Sequence, residues 1–305
     1  MGKNTKIQWA TATWNPFIGC TKVSQGCDNC YAERGVTRWG KDFKKVVRSR
    51  ATFNTPFKWK KAERIFVCSW SDFFHADILR ADRHLAIKVM RDAPQHIYML
   101  LTKRPENILP MLAGTAWAER IPGNVWVGVT AENQETANKR IPILLQVPAE
   151  VRFISCEPLL GPISLLEAIL SGHGYSRDTG FHWVICGGES GTAARPTNPI
   201  WFLNLRDECI GAGTPFFFKQ WGEWHPDGSG VNKRYGAAVF GEQVMRRVGK
   251  ARTGRILNGR EWNEIPYQSR VCRVCGCTEE QACLGGCEWV KPDLCSTCIP
   301  DGCQD

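Results

Sequence analysis

Seven short apolar segments, rich in β-branched and aromatic residues, recur along this chain and limit its fold more than any other feature. They cover residues 7–14, 64–70, 96–101, 125–129, 151–155, 182–186 and 215–218. From 64 onward their starts lie roughly thirty residues apart, which is the length of one strand and one helix, and 77–91 and 199–211 between them have helical character. Continuously apolar strands that alternate with helices form a parallel sheet buried on both faces. The sequence therefore predicts an α/β fold, a partial (βα) barrel of six to seven parallel strands.

Polar residues follow these segments, at the points where the predicted strands end. Because the carboxyl ends of parallel barrel strands meet on one face, we expect a polar pocket there. Lys103 offers a cation for a carboxylate or phosphate, and paired glycines let the backbone approach a ligand closely. For any single residue, a helix cap, a loop hydrogen bond or an ion pair between strands is an equal explanation. The candidate cofactor-binding residues are Ser69, Ser71, Asp72, Lys103, Glu132, Glu157, Gly187, Gly188 and Glu189.

Three cysteines follow the first predicted strand with the spacing C-x6-C-x2-C, namely Cys20, Cys27 and Cys30. Three thiolates can hold three irons of a four-iron cluster and leave the fourth iron open to a cofactor. A zinc site completed by a distant ligand and a set of three buried thiols are the alternatives. The position of the triad after the first strand of a βα series favours the iron–sulfur cluster.

Eight of the fifteen cysteines fall within the last 34 residues, where the βα rhythm has ended. Cys272 and Cys275 form one C-x2-C pair and Cys295 and Cys298 form another, with nineteen residues between the pairs. Two such knuckles place four thiolates around one zinc ion, which supplies folding energy that so short a segment lacks. A second iron–sulfur cluster is the competing interpretation. The cysteines left for a second zinc or as alternative ligands are Cys277, Cys283, Cys287 and Cys303.

These features divide the chain into three parts. A barrel covers residues 1–225, a basic Gly- and Arg-rich linker or barrel cover follows over 226–270, and a cysteine-rich zinc-binding module ends the chain over 271–305. Cysteines that stand alone are most often small buried apolar residues. We expect this of Cys68, Cys156, Cys186 and Cys209.

Positive charge is concentrated near the N-terminus. The chain carries a net charge of +9, and residues 1–61 contain 13 Lys or Arg against 3 Asp or Glu. Aromatic residues interleaved with these cations, such as Trp39 and Phe57, offer stacking surfaces and make the region a candidate for nucleic-acid contact. A solvated basic helix with aromatic residues in the core explains the composition equally well. No apolar run approaches the roughly 18 residues that cross a bilayer and no signal peptide is evident, so we expect a cytoplasmic protein without membrane contact.

Seven motifs in a fixed order resemble those of a phage-associated protein family of unknown function. They are the cysteine triad, CSWSDFFH at 68–75, LLTKRPE at 100–106, WVGVTAENQ at 126–134, SCEPLLGP at 155–162, WVICGGESG at 183–191 and PFFFKQWG at 215–222. Genes of that family often lie beside a gene for a "three-Cys-motif partner" protein. The resemblance implies a phage-encoded chain in the host cytoplasm, with that protein as a partner.

That family in turn resembles a divergent branch of the radical S-adenosylmethionine (SAM) enzymes. The resemblance implies a 4Fe-4S cluster on Cys20, Cys27 and Cys30, whose open iron binds SAM, and a one-electron cleavage of SAM to a 5′-deoxyadenosyl radical. The chain departs from the usual pattern in its C-x6-C gap, in the aromatic Tyr31 after the last cysteine, and in a Gly-Gly-Glu run at the sixth strand rather than the second. The expected function is a radical-SAM-like modification of a nucleic acid, nucleotide or polypeptide. The alternative is a non-enzymatic, zinc-stabilised nucleic-acid-binding phage protein in which both cysteine sets are structural.

Overall fold

The fold is built on a parallel sheet of seven strands that curves into a half-barrel. The computed structural model describes residues 5–172, 180–226, 236–266, 283, 286–291 and 294–298. Neighbouring strands follow the order of the chain, so each strand pairs in parallel with the next and the first and last form the edges. The strands are β1 (Ala12–Trp14), β2 (Arg64–Val67), β3 (Ile97–Thr102), β4 (Val125–Thr130), β5 (Arg152–Cys156), β6 (Trp183–Gly187) and β7 (Phe216–Gln220). The predicted α/β fold with a parallel partial barrel is confirmed.

Helices connect the strands and cover the outer face of the sheet. The residues at the N-termini of two helices explain why these helices begin there. Asn133 accepts a hydrogen bond from the Thr136 backbone in a capping box, and Pro199 occupies the first turn of a helix that ends at Gly211. The helices are α1 (Tyr31–Arg38), α2 (Arg80–Asp92), α3 (Ile108–Leu112), α4 (Gln134–Leu145), α5 (Leu165–Leu170) and α6 (Pro199–Gly211). Among the helices of the described ranges, none has the length and apolar character to cross a membrane.

Side chains alternate between the two faces of the sheet, as they must in extended strands. One set, such as Val127 and Val184, packs under the helices in the main core. The other set forms a separate layer inside the half-barrel that is mostly aromatic. Its centre is Trp183, whose ring lies 5.9 Å from the rings of Trp126 and Phe153 and 6.0 Å from Phe217. This layer fills the half-barrel from below and leaves the carboxyl ends of the strands open above it.

Two predicted strands are shorter than the sequence indicates. In the segment 7–14, only Ala12–Trp14 is a strand, because a turn closes between Ile7 and Ala10. The apolar Trp9 in this turn is buried against Phe66, with ring centroids 4.7 Å apart. In the segment 64–70, the strand ends at Val67 because Cys68 adopts a left-handed conformation with φ of 61°.

The chain that follows β7 packs onto the same core. Met245, Leu257 and Trp262 are buried in the main cluster, and the backbone of Phe218 donates to the Trp262 carbonyl at 3.0 Å. The division of the chain at 225 and 270 stays a prediction. The elements here are a three-stranded antiparallel sheet of Trp224–His225, Ala237–Phe240 and Gln243–Arg247, helix α7 (Lys250–Thr253) and a hairpin of Ile256–Leu257 with Arg260–Glu261. Smaller elements elsewhere are the strand pairs Phe17–Ile18 with Val47–Arg48 and Trp289–Lys291 with Leu294–Cys295, and the 3-10 turns Gln25–Cys27, Thr55–Lys58, Pro105–Asn107 and Ser296–Cys298.

Candidate functional site

A cavity of about 600 Å³ opens at the carboxyl ends of the seven strands. All three cysteines of the N-terminal triad line it, together with most of the predicted cofactor-binding residues. The predicted residues on its lining are Ser69, Ser71, Asp72, Lys103, Glu157, Gly188 and Glu189. Glu132 and Gly187 lie outside the lining. The sequence therefore identified the face of the sheet on which polar residues converge.

The cysteine triad lies on a loop between β1 and α1 that is held against the strand ends. The Cys20 backbone donates to the Phe43 carbonyl at 2.8 Å, and Gly19 donates to the Trp70 carbonyl at 3.0 Å. Gly19 has φ of 106°, and any Cβ there would collide with the Lys45 carbonyl. Glycine is required at this position because the loop turns back tightly over the chain.

A buried ion pair fixes the beginning of the loop. Asp72 accepts hydrogen bonds from Thr102 Oγ1 at 2.8 Å, from the Lys103 backbone at 3.2 Å and from Arg104 Nη1 at 3.1 Å. The same Arg104 donates to Cys20 Sγ at 3.4 Å and to the Thr21 carbonyl at 2.7 Å. Asp72 therefore orients Arg104 onto the cysteine loop; its predicted role in binding a cofactor stays a prediction.

The environment of Cys20 disfavours a free thiolate. Burial raises the pKa of its thiol to about 11, although the Arg104 guanidinium acts in the opposite direction. In the absence of a metal, Cys20 is a neutral thiol at physiological pH. A bound cation would replace the proton, because metal coordination deprotonates a thiol.

A second buried ion pair supports the middle of the loop. Glu132, at the end of β4, is almost fully buried and accepts from Arg140 Nη1 at 2.9 Å. It also accepts from Ser24 Oγ at 2.7 Å. Gly26 passes so close that a Cβ on it would collide with the Glu132 carboxylate. Glu132 thus supports the loop from beneath.

A third anchor holds the end of the loop to β6. Arg195 Nη2 donates to Glu189 Oε1 at 2.7 Å and to the Gln25 carbonyl at 2.8 Å, and Asn29 Nδ2 donates to Glu189 Oε2 at 3.1 Å. Burial acts to raise the pKa of Glu189, but the hydrogen bonds from Arg195 and Asn29 outweigh it and hold the pKa below its ordinary value. Glu189 therefore lines the cavity as an ionised carboxylate that is already paired.

Three carboxylates from three strand ends therefore tie down one loop, each with an arginine partner. Sequence reasoning selected all three carboxylates as cofactor contacts but missed Arg140 and Arg195. The sequence held one signal for these anchors, which is the polar character of the residues between the cysteines. Ser24 donates a hydrogen bond to Glu132, and Asn29 donates one to Glu189.

A further part of the cavity wall combines cations with apolar surface. Lys219 Nζ lies 2.9 Å from Glu157 Oε1, and Trp9 Nε1 donates to Glu157 Oε2 at 3.3 Å. Lys103 Nζ donates to Thr130 Oγ1 at 3.4 Å. Apolar lining comes from Ile7, Trp9, Phe66 and Leu101. This wall provides ammonium groups and an aromatic surface in the same space.

The four remaining strand-end predictions, Ser69, Ser71, Gly187 and Gly188, have hydrogen-bonding or packing roles within the fold. Ser71 Oγ donates to the Gly19 carbonyl at 2.6 Å, while Ser69 Oγ bonds to Asn15. Gly188 is needed because a Cβ there would collide with the Trp221 carbonyl. A Cβ on Gly187 would come 2.9 Å from Glu157 Oε1. Packing between strand ends accounts for both glycines, and their approach to a ligand stays a prediction.

Three C-terminal cysteines form a compact group. The sulfur atoms of Cys283, Cys287 and Cys295 all lie within 4.8 Å of one another, and those of Cys283 and Cys295 are 3.8 Å apart. Tetrahedral zinc with Zn–S bonds of about 2.3 Å holds sulfur atoms about 3.8 Å apart. The C-terminal group therefore has the compactness of a single-ion site.

The C-terminal group overlaps only in part with the four predicted zinc ligands. Cys295 belongs to it, and Cys298 is not a member. Its other two members, Cys283 and Cys287, come from the predicted reserve ligands. The remaining predicted ligands, Cys272, Cys275, Cys277 and Cys303, lie outside the described residues. Three thiols that could bind a metal are thus gathered in the described part of the chain, and the predicted set of Cys272, Cys275, Cys295 and Cys298 stays a prediction.

The four isolated cysteines are buried in the main core, as predicted. Burial raises the pKa of Cys156 and Cys186 well above the ordinary value. The four are Cys68, Cys156, Cys186 and Cys209.

Comparisons with known proteins identify a family but no characterised relative. No curated protein matches the chain, and no solved structure matches it. A family model described as a protein of unknown function, DUF5131, matches residues 4–266, which include the whole sheet and the cavity. The chain therefore belongs to the DUF5131 family of proteins of unknown function.

Proposed function

We propose that the protein is a radical-SAM-like enzyme that holds a 4Fe-4S cluster on Cys20, Cys27 and Cys30 and binds SAM in the adjoining cavity. The observation that carries the proposal is the position of these three cysteines. They line a cavity of about 600 Å³ above the carboxyl ends of a parallel half-barrel. Ligand pockets of this size, roughly 300–1,000 Å³, enclose a molecule as large as a nucleoside derivative.

The residues of the triad fit such a cluster. The triad is composed of thiols alone, which is the usual ligand set of iron–sulfur clusters. Arg104 donates to Cys20 Sγ, and hydrogen bonds of this kind tune the potential of iron–sulfur sites. When bound and reduced, the cluster would supply the one electron that cleaves the sulfonium of SAM.

The part of the wall that carries Lys103, Trp9 and Glu157 fits the remaining parts of SAM. Lys103 would bind the carboxylate of the methionine portion, because its ammonium group lines the cavity beside Thr130. Trp9 and Phe66 offer an apolar aromatic surface to the adenine ring. Glu157 would accept from the ribose hydroxyls while remaining paired with Lys219. The aromatic layer beneath excludes water from the inner end of the cavity.

A second function has a specific observation in its favour. The compact group of Cys283, Cys287 and Cys295 has the spacing of a zinc site, and the N-terminal region is basic. A zinc-stabilised nucleic-acid-binding protein of phage origin would use both features without any redox chemistry. Action with a three-Cys-motif partner protein is compatible with either function and belongs to the proposal.

Metal analysis and turnover test the proposal together. The chain is purified anaerobically and reconstituted, and iron, sulfide and zinc are measured with visible spectra for wild type, Cys27→Ala and Cys209→Ala. Cys209 is a matched control because it is a lone buried thiol outside the cavity. We expect about four irons per chain in wild type and in Cys209→Ala, and loss of the cluster in Cys27→Ala.

Turnover is then followed with SAM and dithionite as the electron donor. The expected products are 5′-deoxyadenosine and methionine, formed by wild type and by Cys209→Ala but not by Cys27→Ala. Zinc without iron in all three proteins would contradict the radical mechanism and favour the zinc-stabilised binding protein.

A further inference from the structure

An exposed tryptophan is mounted rigidly at the end of α1. Trp39 stacks on Trp70 with ring centroids 4.7 Å apart and planes inclined by 4°, yet 52% of its surface remains exposed. Trp70 is fixed in turn, because Gly35 lies directly against its ring and a Cβ there would come within 2.7 Å. One face of Trp39 is therefore held by protein and the other is open to solvent. Such a platform can stack a further planar ring at little entropic cost.

The surface beside this tryptophan is strongly basic. Residues 35–50 contain six Lys or Arg, and their one acidic residue is Asp42. The exposed cations next to the platform are Arg38, Lys41, Lys44 and Lys45, which together with Trp39 we name the Trp39 rim. Within the part of the chain that the structure describes, none of these four cations forms an ion pair, in contrast to Arg48, which binds Asp82 at 2.9 Å. The rim therefore offers uncompensated positive charge to a polyanion.

The Trp39 rim adjoins the cavity. Phe43, between the lysines of the rim, lines the cavity and accepts from the Cys20 backbone. Tyr31 and Arg34, at the other end of α1, also line the cavity. Tyr31 and Trp39 are eight residues apart, so about 12 Å of helix separates the cavity from the platform at 1.5 Å per residue. This distance corresponds to three or four stacked nucleotides at about 3.4 Å each.

We infer that the substrate of this site is a single-stranded nucleic acid, which stacks one base on Trp39, lays its phosphates along the lysines of the rim and presents a nucleotide three or four positions away to the cavity. The inference rests on the proposed function, since it names the substrate class of that site. Stacking on Trp39 requires an exposed base face, and the bases inside a duplex are already stacked on both faces. An acidic peptide would bind the cations of the rim but has no base to stack on Trp39.

Binding of short oligonucleotides tests the inference. Fluorescence anisotropy with a labelled single strand of about twelve nucleotides, as DNA and as RNA, is measured on the full chain with and without reconstituted iron. Trp39→Ala should weaken binding roughly ten- to hundredfold, which is the usual contribution of one stacked base. The double variant Lys44→Glu/Lys45→Glu should also weaken binding and should reduce its dependence on salt concentration.

Matched controls lie at the opposite end of the sheet. Phe57 is also an exposed aromatic residue in the basic region, but its turn contacts His96, which precedes β3 at the amino end of the sheet. Phe57→Ala and Lys60→Glu/Lys61→Glu make the same chemical changes there and should leave binding unchanged. Thermal unfolding of each variant identifies any loss of binding that comes from misfolding.

Two results would overturn the inference. One is equal binding by Trp39→Ala and Phe57→Ala; the other is a preference for duplex DNA or an acidic peptide over the single strand. The outcome is independent of the cluster assignment, because binding is measured on the iron-free chain as well. A protein that cleaves SAM but binds single strands equally well in all variants would retain the proposed function and lose only this substrate.

Discussion

Replacement of Arg104 by methionine should destabilise the protein and release the beginning of the cysteine loop. The side chains of Arg104 and Asp72 are each 7% exposed, and the guanidinium also binds Thr21 and Cys20. Arg104→Met leaves the Asp72 carboxylate buried with the Thr102 hydroxyl and backbone donors but without a cation. Breaking a buried ion pair in this way costs about 3–5 kcal/mol of unfolding free energy.

This cost corresponds to a measurable change in melting temperature. At about 2.1 cal/mol/K per residue, a chain of 305 residues has an unfolding entropy of about 0.6 kcal/mol/K, so the expected decrease is about 5–8 °C. The double variant Asp72→Asn/Arg104→Met removes both charges. It should be less destabilised than the sum of the two single variants by roughly 2 kcal/mol, because neither group is left uncompensated.

Denaturant unfolding of the metal-free chain measures the loss of unfolding free energy in each single variant and the coupling energy in the double variant. The cluster does not interfere with this measurement. Arg91→Met is the matched control, since Arg91 forms a largely exposed pair with Asp92 and its loss should cost less than about 1 kcal/mol. Arg104→Met should also reduce the iron bound after reconstitution. An Arg104→Met protein as stable as Arg91→Met, or single effects that simply add in the double variant, would refute the assignment of this pair as an anchor of the loop.

Three further predictions concern the other anchors and the C-terminal cysteines. Gly26→Ala should cost about 1–3 kcal/mol and lower the iron bound per chain, because its methyl group collides with Glu132; normal iron content would contradict this. Hydrogen bonds from Arg195 lower the pKa of Glu189 below its ordinary value of 4.5. The contribution of Glu189 to stability is therefore present above about pH 4.5 and is lost as the pH falls through the pKa of the folded state. In urea unfolding from about pH 6 to about pH 3, the stability gap between wild type and Glu189→Gln should therefore narrow, and a constant gap would oppose the assignment. Cys295→Ser should lower zinc per chain and leave iron unchanged, and an unchanged zinc content would remove this cysteine from the metal group.

The strands of the half-barrel were predictable because burial on both faces leaves a continuous apolar signal. The predicted strands were too long only where an apolar residue is buried without belonging to the strand. Trp9 enters the inner aromatic layer from a turn, and Cys68 ends its strand through a left-handed conformation that no apolar pattern reveals. Helix α6 was predicted to the residue, because Pro199 and Gly211 mark its two ends.

The location of the site was predictable, but the partners of its residues were not. Parallel strands bring their carboxyl ends together, so Asp72, Glu132 and Glu189 all had to lie at one end of the sheet. Which of them faces the cavity and which supports the loop depends on arginines that approach from other elements, such as Arg140 on α4. Spacing along the chain does not carry this information, because an ion pair depends on where two elements pack.

The C-terminal cysteines illustrate the same limit. Regular C-x2-C pairs indicate a zinc module, yet the sulfurs that gather in the described part include Cys283 and Cys287, which stand outside those pairs. Ligand choice in a small metal-binding segment depends on how the chain folds back on itself. Two of the four ligands that the spacing predicts lie outside the described residues, so that ligand set stays a prediction.

The most direct test of the central claim is electron paramagnetic resonance of the reconstituted, dithionite-reduced chain, recorded with and without SAM. A four-iron cluster with one open iron should give a signal that changes when SAM binds, and the signal should be missing from Cys27→Ala. A signal that is indifferent to SAM, or its absence in a wild-type chain whose triad holds zinc, would contradict the account.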